Sequence, residues 1–470
     1  MKGSMLSVAA AATLLLACAR QALAEPLATD DGYRGVWYAN QASGDAYRYK
    51  YSGGMATYPH QHAPIAVYCP QVEKTFFVYG GTTARVASDK QRLLHMVSCF
   101  DHRRRTLPRP RILLDKQTSD AHDNPVLAVD VAGHLWVFSP SHGTGRPSYI
   151  HRSVRPYDIA EFERVAETNF SYPQPWQLGE RGFLLLHTRY GGRDVEVKAR
   201  RSLAIWTSKD GRRWDAPRAL AGIAQGCYQV SWTNGRRVGT AFNHHPPPLG
   251  LNGRANLYYV QTDDAGATWT TAAGEEIELP VTEAENPALV YDSVREKKLV
   301  YLKDINFDAD GRPVILFLTS GGYEAGPKND PRTWQTARWT GTTWERRVLT
   351  TSDNNYDHGS LYIEADGAWR VIAPTEDGPQ RGNPGGEVVV WTSGDQGVTW
   401  KRVKQLTANS EYNHTFIRRP LNADPDFYAL WADGHGREAS PSRLYFTDRD
   451  GTRVWRLPEK MNEDEATVRP

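Results

Sequence analysis

The sequence has few cysteines, little net charge and no long apolar run beyond its first residues. Its 470 residues include four cysteines, none in a Cys-x-x-Cys spacing, so the usual zinc-finger and thioredoxin-like motifs are excluded. Lys and Arg number 56 and Asp and Glu 54, a formal charge of +2, which argues against a nucleic-acid-binding protein. Low-complexity tracts are also missing, and 40% of the residues are hydrophobic. We therefore expect a globular chain.

The one extended apolar stretch, over residues 5–17, lies at the N-terminus and is too short for a transmembrane helix. Lys2 precedes it, and the sequence ALA at 22–24 matches the small-x-small rule for signal peptidase. We predict a signal peptide over residues 1–24 and a secreted or periplasmic protein without a transmembrane segment. A lipoprotein site at Cys18, after LLA at 15–17, is the alternative.

Three cysteines follow the predicted cleavage point. Export permits disulfides. Cys69 and Cys99 flank one strand-rich stretch and either pair or stay free, and Cys227 is expected to be a buried thiol.

A repeated segment runs through the rest of the chain, in which a polar, His, Tyr or Asn start leads into a short apolar strand. Its copies recur at intervals of 48 to 72 residues and begin at His62, Asn124, Tyr172, Tyr228, Asn286, His358 and His414. Each precedes a Gly-containing turn and a second strand. Repeats of this length are typical of β-propellers.

A second motif falls between these copies. Complete S/T-x-D-x-G-x-T-W boxes begin at Thr262 and Ser393, a shortened one begins at Ser208, and a degenerate one includes Asp450. In such a box the Asp bonds turn amides, the Gly takes a positive φ and the Trp packs between sheets. We expect these Asp boxes to close the turn between the third and fourth strands of a blade.

Together the two motifs predict an all-β fold, a seven-bladed β-propeller of four-stranded units of about 60 residues. Residues 25–470 then form one domain, expected to be monomeric. The strand near residues 33–38 is expected to complete the blade formed by the C-terminal strands near 443–455, and so to close the ring.

Strand geometry places the start of each innermost strand and the turn between strands two and three on one face of the propeller. Polar side chains are concentrated there: His60, His62, His122, Tyr172, Tyr228, His358 and His414 at strand starts, and His142, Arg146, Arg189, Tyr190, Arg193, Arg200, Arg201, His244 and His245 near the turns. Ordinary glycoside hydrolysis needs two carboxylates, which this set lacks. Arg beside His and Tyr instead suits proton removal next to a carboxylate, as in β-elimination of a uronic-acid polysaccharide.

The sequence resembles the BNR-repeat propeller polysaccharide lyases, which include ulvan lyases and rhamnose–glucuronate lyases. The matching stretches are KYSGGMATY at 50–58, HAPIAVY at 62–68, KTFFVYGG at 74–81, HDNPV at 122–126, SHGTGRPSYIHRS at 141–153 and RPYDI at 155–159. The resemblance implies an anionic, uronic-acid-containing polysaccharide as partner, ulvan foremost and rhamnose-capped arabinogalactan next. It also implies cleavage of the rhamnose-(1,4)-uronate bond to leave a 4,5-unsaturated uronate.

The resemblance further implies roles for individual residues. His122 and His142 would be a catalytic pair acting at C5 of the uronate. The partner acid or base would be Tyr190, with Tyr172 as the alternative candidate. Arg201, or else Arg189, would neutralise the substrate carboxylate. His245 or its neighbour His244 would contact the sugar.

Some features depart from that family or leave alternatives open. The structural zinc of some ulvan lyases uses His and Cys ligands, and no Cys-x-His occurs here. The chemistry itself requires no cofactor, and the identity of any structural metal, with His358 and His414 as channel ligands, stays open. A sister group of α-L-rhamnosidases acts through a histidine on blade one, where His60 and His62 lie, so hydrolysis is the second hypothesis. A non-catalytic sugar-binding propeller is the third.

Overall fold

A computed structural model describes residues 26–468 apart from 56–60, 89, 192–196 and 198. The predicted signal peptide, Cys18, His60 and Arg193 lie outside these residues. The first two described strands, β1 (Trp37–Ala42) and β2 (Tyr49–Gly54), form a hairpin. Short 3-10 helices occupy Ala121–Asp123, Gly179–Arg181, Gly250–Asn252 and Pro327–Asn329. In the described part of the chain, no helix has the length and apolar character needed to cross a bilayer.

The remaining described strands form seven antiparallel sheets in chain order, which are the blades of the predicted propeller. Blade one holds β3 (Ala66–Cys69), β4 (Lys74–Gly81), β5 (Leu94–Asp101), β6 (Thr106–Pro108) and β7 (Arg111–Asp115). Blade two holds β8 (Val126–Val129), β9 (Leu135–Ser139), β10 (Ser148–Ser153) and β11 (Phe162–Thr168). Blade three holds β12 (Ser171–Gln177), β13 (Phe183–Tyr190), β14 (Arg201–Ser208) and β15 (Arg218–Ala221).

The second half of the ring repeats this plan. Blade four holds β16 (Cys227–Thr233), β17 (Val238–His244), β18 (Ala255–Thr262) and β19 (Leu289–Tyr291). Blade five holds β20 (Leu299–Phe307), β21 (Pro313–Ser320), β22 (Arg332–Trp339) and β23 (Trp344–Ser352). Blade six holds β24 (Ser360–Ile363), β25 (Trp369–Glu376), β26 (Glu387–Ser393) and β27 (Lys401–Gln405). Blade seven holds β28 (Asn413–Arg418), β29 (Ala429–Gly434), β30 (Leu444–Thr447) and β31 (Val454–Arg456), and a last strand, β32 (Glu465–Thr467), follows it.

Six of the seven predicted repeat copies introduce the first strand of a blade. The prediction that the copy at Asn286 introduces a first strand is wrong. Its apolar residues form β19, the fourth strand of blade four, and blade five begins at Leu299. A short apolar run after Asn-Pro does not distinguish an inner strand from an outer one. Because 26 residues, which include an Asp box, separate β18 from β19, the fourth strand of blade four lies where the repeat spacing predicts the first strand of blade five.

The predicted ring closure is also wrong. Blade seven is complete with β28–β31, and β1 pairs with β2 rather than with the C-terminal strands. Instead, β32 pairs with β6 of blade one, with Ala466 opposite Leu107. Gly35 adds isolated bridges to Gly81 of blade one and Ser442 of blade seven. Both ends of the described chain therefore join the first and last blades.

The Asp boxes lie between third and fourth strands, as predicted. In blade four, Asp264 accepts hydrogen bonds from the backbone N–H of Thr268 at 2.9 Å and from its hydroxyl at 2.7 Å. Gly266 has a φ of +93°, which a side chain would strain. Trp269 is fully buried in the core between blades.

The three described cysteines, Cys69, Cys99 and Cys227, are buried free thiols. Cys69 lies on β3 opposite Lys74 and Cys99 lies on β5 opposite Phe76, so β4 separates them. Two strand spacings amount to about 10 Å, which exceeds the reach of a disulfide. The possible pair is therefore not formed.

Candidate active site

A cavity of about 410 Å³ opens at the face where first strands begin and second strands turn into third strands. This is the face on which the polar residues were predicted to converge. Its lining includes His122, His142, Tyr51, Tyr172, Tyr190, Tyr228, Tyr356, Lys50, Arg200, Arg201 and Arg254. Among the described residues, no carboxylate belongs to this lining. The cavity is thus cationic and rich in hydroxyls.

One carboxylate behind the lining organises both histidines. Asp120 caps the 3-10 helix that carries His122 and lies 2.5 Å from Nδ1 of His122 and 2.8 Å from Nδ1 of His142. The imidazoles stack with centroids 4.2 Å apart. Burial would raise the pKa of Asp120, but its contacts with the two rings hold that pKa far below its usual range. The ionised carboxylate therefore accepts a hydrogen bond from the N–H at each Nδ1 and leaves both Nε2 atoms as acceptors.

The two histidines differ in access. His122 is 2% exposed, and its Nε2 lies 3.1 Å from the Tyr51 hydroxyl. Burial lowers the pKa of His122, although Asp120 opposes this shift. The side chain of His142 is 31% exposed, and its Nε2 has no hydrogen-bond partner among the described residues. His142 is accordingly the histidine with a nitrogen available to a ligand.

Tyrosines surround this pair. The ring of Tyr190 meets that of His142 edge-on at 5.6 Å, and its hydroxyl lies 3.3 Å from that of Tyr172. Burial raises the pKa of Tyr190 well above its ordinary value, so the phenol stays protonated at neutral pH. Tyr172 is fully buried at a bulge in β12, with a φ of +51°.

Arg201 opens β14 directly opposite Tyr190. Its guanidinium has no ion-pair partner among the described residues, and it stacks over the ring of Tyr228 at 5.6 Å. Its Nη2 lies 3.4 Å from Nδ1 of His245. The charge of Arg201 therefore stays available to an anion in the cavity.

Two of the residues predicted to bind substrate lie outside this lining. His245 is fully buried and packs edge-on to Tyr228 at 4.6 Å, so it supports Arg201 and Tyr228 from behind the cavity wall. Arg189 precedes Tyr190 on β13, and adjacent side chains on a strand point to opposite faces. Since Tyr190 faces the cavity, Arg189 faces away from it.

Two other histidines singled out in the sequence, His62 and His414, take structural places. His62 is fully buried, and its Nε2 lies 3.0 Å from the backbone carbonyl of His122. His414 lies 2.9 Å from both the Ser410 hydroxyl and the Trp431 indole nitrogen. Neither imidazole belongs to the cavity lining.

Several site residues were missed from the sequence. Lys50 and Tyr51 lie on the β1–β2 hairpin, outside the repeat pattern, although both fall in a stretch that carried the resemblance. Asp120 was overlooked because it precedes a strand start by several residues. Arg254 could have been found, since it adjoins the third strand of blade four as Arg201 does in blade three.

Lys50 is the unusual cation of the cavity. It is buried, donates a hydrogen bond to the Asn252 side chain and lies beside Arg254. Burial, reinforced by the charge of Arg254, lowers the pKa of the Lys50 ammonium to about 7.

Among the residues that the structure describes, two groups of side chains have ligand atoms close enough for a metal ion. Asp120, His122 and His142 form one, and His102, Asp424 and Asp426 form the other. In the first group both carboxylate oxygens already accept hydrogen bonds from imidazole N–H groups, which favours an acid–base role over metal binding. In the second, Nδ1 of His102 lies 3.1 Å from Asp424 and Asp426 pairs with Arg105.

Comparison with known proteins adds to this geometry. Residues 95–352 match the BNR repeat-containing family. An ulvan lyase of Nonlabens ulvanivorans is 24% identical over 350 residues, which cover 68% of this chain and 72% of that protein. A PL25 ulvan lyase bound to -[GlcA(1-4)Rha3S]- has a TM-score of 0.70 at 16% identity, covering 91% of this chain and 96% of that one. For the polysaccharide lyase Uly1 the TM-score is 0.58 at 12% identity, with coverage of 93% and 98%. These structures share the fold.

Proposed function

Because this chain belongs to the BNR repeat-containing family, we propose that its cavity is the active site of a polysaccharide lyase. The enzyme would cleave the rhamnose-(1,4)-uronic acid bond of ulvan or a related rhamnose–glucuronate glycan. The observation that carries the proposal is the lining, which combines four cationic side chains, tyrosines and histidines without a described carboxylate. Such a lining favours an anionic sugar and lacks the carboxylate pair of ordinary glycosidases.

The proposed reaction is a β-elimination. A base removes the proton from C5 of the uronate, the C–H electron pair forms the C4–C5 double bond, and the bond from C4 to the bridging oxygen breaks. The departing oxygen takes a proton from an acid. Every transfer is assigned to a side chain, so the elimination as proposed needs no cofactor.

The geometry supports a separate role for each side chain in this reaction. His142 acts as the base through Nε2, because Asp120 holds its Nδ1 proton. Tyr190, kept protonated by burial, donates the proton to the departing oxygen. Arg201 faces the uronate carboxylate and lowers the cost of removing the neighbouring proton. His122 positions Asp120 and Tyr51 rather than contacting the sugar.

Secretion or residence in the periplasm belongs to the same proposal. Its support is the N-terminal sequence, with Lys2, an apolar stretch and ALA at 22–24. A polymeric substrate also requires that the enzyme meet it outside the cytoplasm.

The test is to incubate the purified protein with ulvan and with gum arabic, following ultraviolet absorbance and free rhamnose together. The expected product is an unsaturated uronate, whose conjugated double bond absorbs, with no free rhamnose. Free rhamnose without absorbance would identify a rhamnosidase and overturn the proposal. Binding without either product would identify a sugar-binding propeller.

The matched variants are His142→Ala and His134→Ala. Loss of the base should lower kcat by about 10²–10⁴-fold at unchanged Tm. His134 lies in the turn between β8 and β9, outside the cavity lining, with Nδ1 2.9 Å from a backbone carbonyl, so its variant should keep full activity. An active His142→Ala enzyme would contradict the assigned base.

A further inference from the structure

A buried arginine in the central channel has an incomplete set of partners. Arg418 ends β28 and is 5% exposed. Its Nη1 donates to the carbonyls of Lys303 at 3.2 Å and Gly359 at 3.4 Å. Within the described residues, its Nε and Nη2 have no hydrogen-bond partner. Buried donors without acceptors are costly, so such groups usually mark a bound water or ion.

The guanidinium keeps its charge. Burial lowers the pKa of Arg418 to about 10, which leaves it protonated at neutral pH. The nearby carboxylate of Asp304 is already engaged, because Oδ2 accepts from Arg419 Nε at 3.0 Å and from the Leu361 N–H at 2.8 Å. Its Oδ1 accepts from the Ile305 N–H at 2.8 Å. No carboxylate among the described residues forms an ion pair with Arg418.

A small cavity adjoins this arginine. It has a volume of about 10 Å³, and its polar lining includes Arg418, Arg419, Lys303, Asp304, Ser360 and Gln174. That volume accommodates one water-sized species. The cavity shares no lining residue with the candidate active site. It is therefore a separate site with room for a single atom or a small molecule.

We propose that a chloride ion binds in this channel cavity against Arg418. A monatomic anion fits the volume, accepts charge-assisted hydrogen bonds from the two free donor groups and neutralises the guanidinium. A water molecule would also accept these hydrogen bonds, but the single carboxylate of Asp304 faces two guanidinium groups, Arg418 and Arg419, so one buried positive charge would remain without a counter-ion.

The first test uses the unaltered protein. In crystals soaked in sodium bromide, an anomalous difference peak is expected in the channel beside Arg418. In solution, replacing sodium gluconate with sodium chloride at equal ionic strength should raise Tm by about 1–3 °C, because an ion that binds the folded state stabilises it. A water-sized peak without anomalous signal, together with equal Tm values in both salts, would overturn the proposal.

The second test compares two buried arginines. Arg418→Met should abolish the difference in Tm between the two salts. Arg332 is fully buried but pairs with Asp330 and donates to the Glu324 carbonyl at 2.9 Å, so Arg332→Met should lower Tm and keep the chloride effect. An unchanged chloride effect in Arg418→Met would place the ion elsewhere. If that variant does not fold, the bromide experiment on the unaltered protein decides.

Discussion

At the scale of single residues, the surroundings of three titratable groups in the site shift their pKa values, two downward and one upward. Two imidazoles keep Asp120 ionised, and burial keeps Tyr190 protonated. Burial also lowers the pKa of Lys50 to about 7. Groups whose pKa values are pushed apart in one cavity are typical of acid–base catalysis.

Lys50 gives a prediction about pH. With its pKa lowered to about 7, the ammonium is charged below that pH and neutral above it, so the KM for an anionic polymer should rise as pH increases through 7. Lys50→Arg keeps the charge and should remove this rise, whereas Lys50→Met should show a high KM throughout. Steady-state kinetics from pH 6 to 8 checks this. An unchanged KM profile in Lys50→Met would contradict it.

Tyr190 and Tyr172 give a second prediction, since their hydroxyls are neighbours but their proposed roles differ. Tyr190→Phe removes the proton donor and should lower kcat by about 10²–10⁴-fold. Tyr172→Phe leaves the proposed proton donor in place and removes the acceptor of its hydrogen bond, so it should lower kcat much less. If Tyr172→Phe were the more damaged enzyme, the acid would be Tyr172.

At the scale of elements, sequence periodicity predicted most strands, the Asp-box turns and the face that carries His122, His142 and Tyr190. It failed at residues 286–291 because a four-residue apolar run looks alike in an inner and an outer strand. It also failed for β32 and the β1–β2 hairpin, whose pairing depends on tertiary contacts rather than local pattern. Lys50 and Tyr51 were missed for that reason, since the hairpin that carries them lies outside the repeat.

The closing strand can be tested through its backbone. The strand β32 pairs with β6, and Ala466 lies opposite Leu107. Proline has no N–H and restricts φ, so Ala466→Pro should disrupt this pairing and lower Tm. Ala466→Ser keeps the backbone and is the control. Equal Tm values for the two variants in thermal unfolding would show that β32 contributes little to closure.

At the scale of the whole molecule, the formal charge is only +2, although four cationic side chains line one cavity. Binding of an anionic polymer there should depend on ionic strength. Raising the salt from about 0.1 M to about 1 M shortens the Debye length from about 10 Å to about 3 Å, so KM should increase several-fold. Sodium chloride and sodium gluconate should act alike on KM, because screening does not distinguish the anion. A KM insensitive to both salts would contradict electrostatic capture.

The pairing of β32 with β6 has a consequence for biosynthesis. The backbone N–H of Val468 donates to the carbonyl of Arg105 at 2.8 Å, so blade one receives its final strand from residues that follow blade seven in the chain. On the ribosome, translation has finished the other six blades before this contact can form. Blade one therefore begins the ring and is the last blade to be completed. Until β32 has been synthesised, the edge of β6 in a nascent chain is unpaired and open to pairing with strands of other chains.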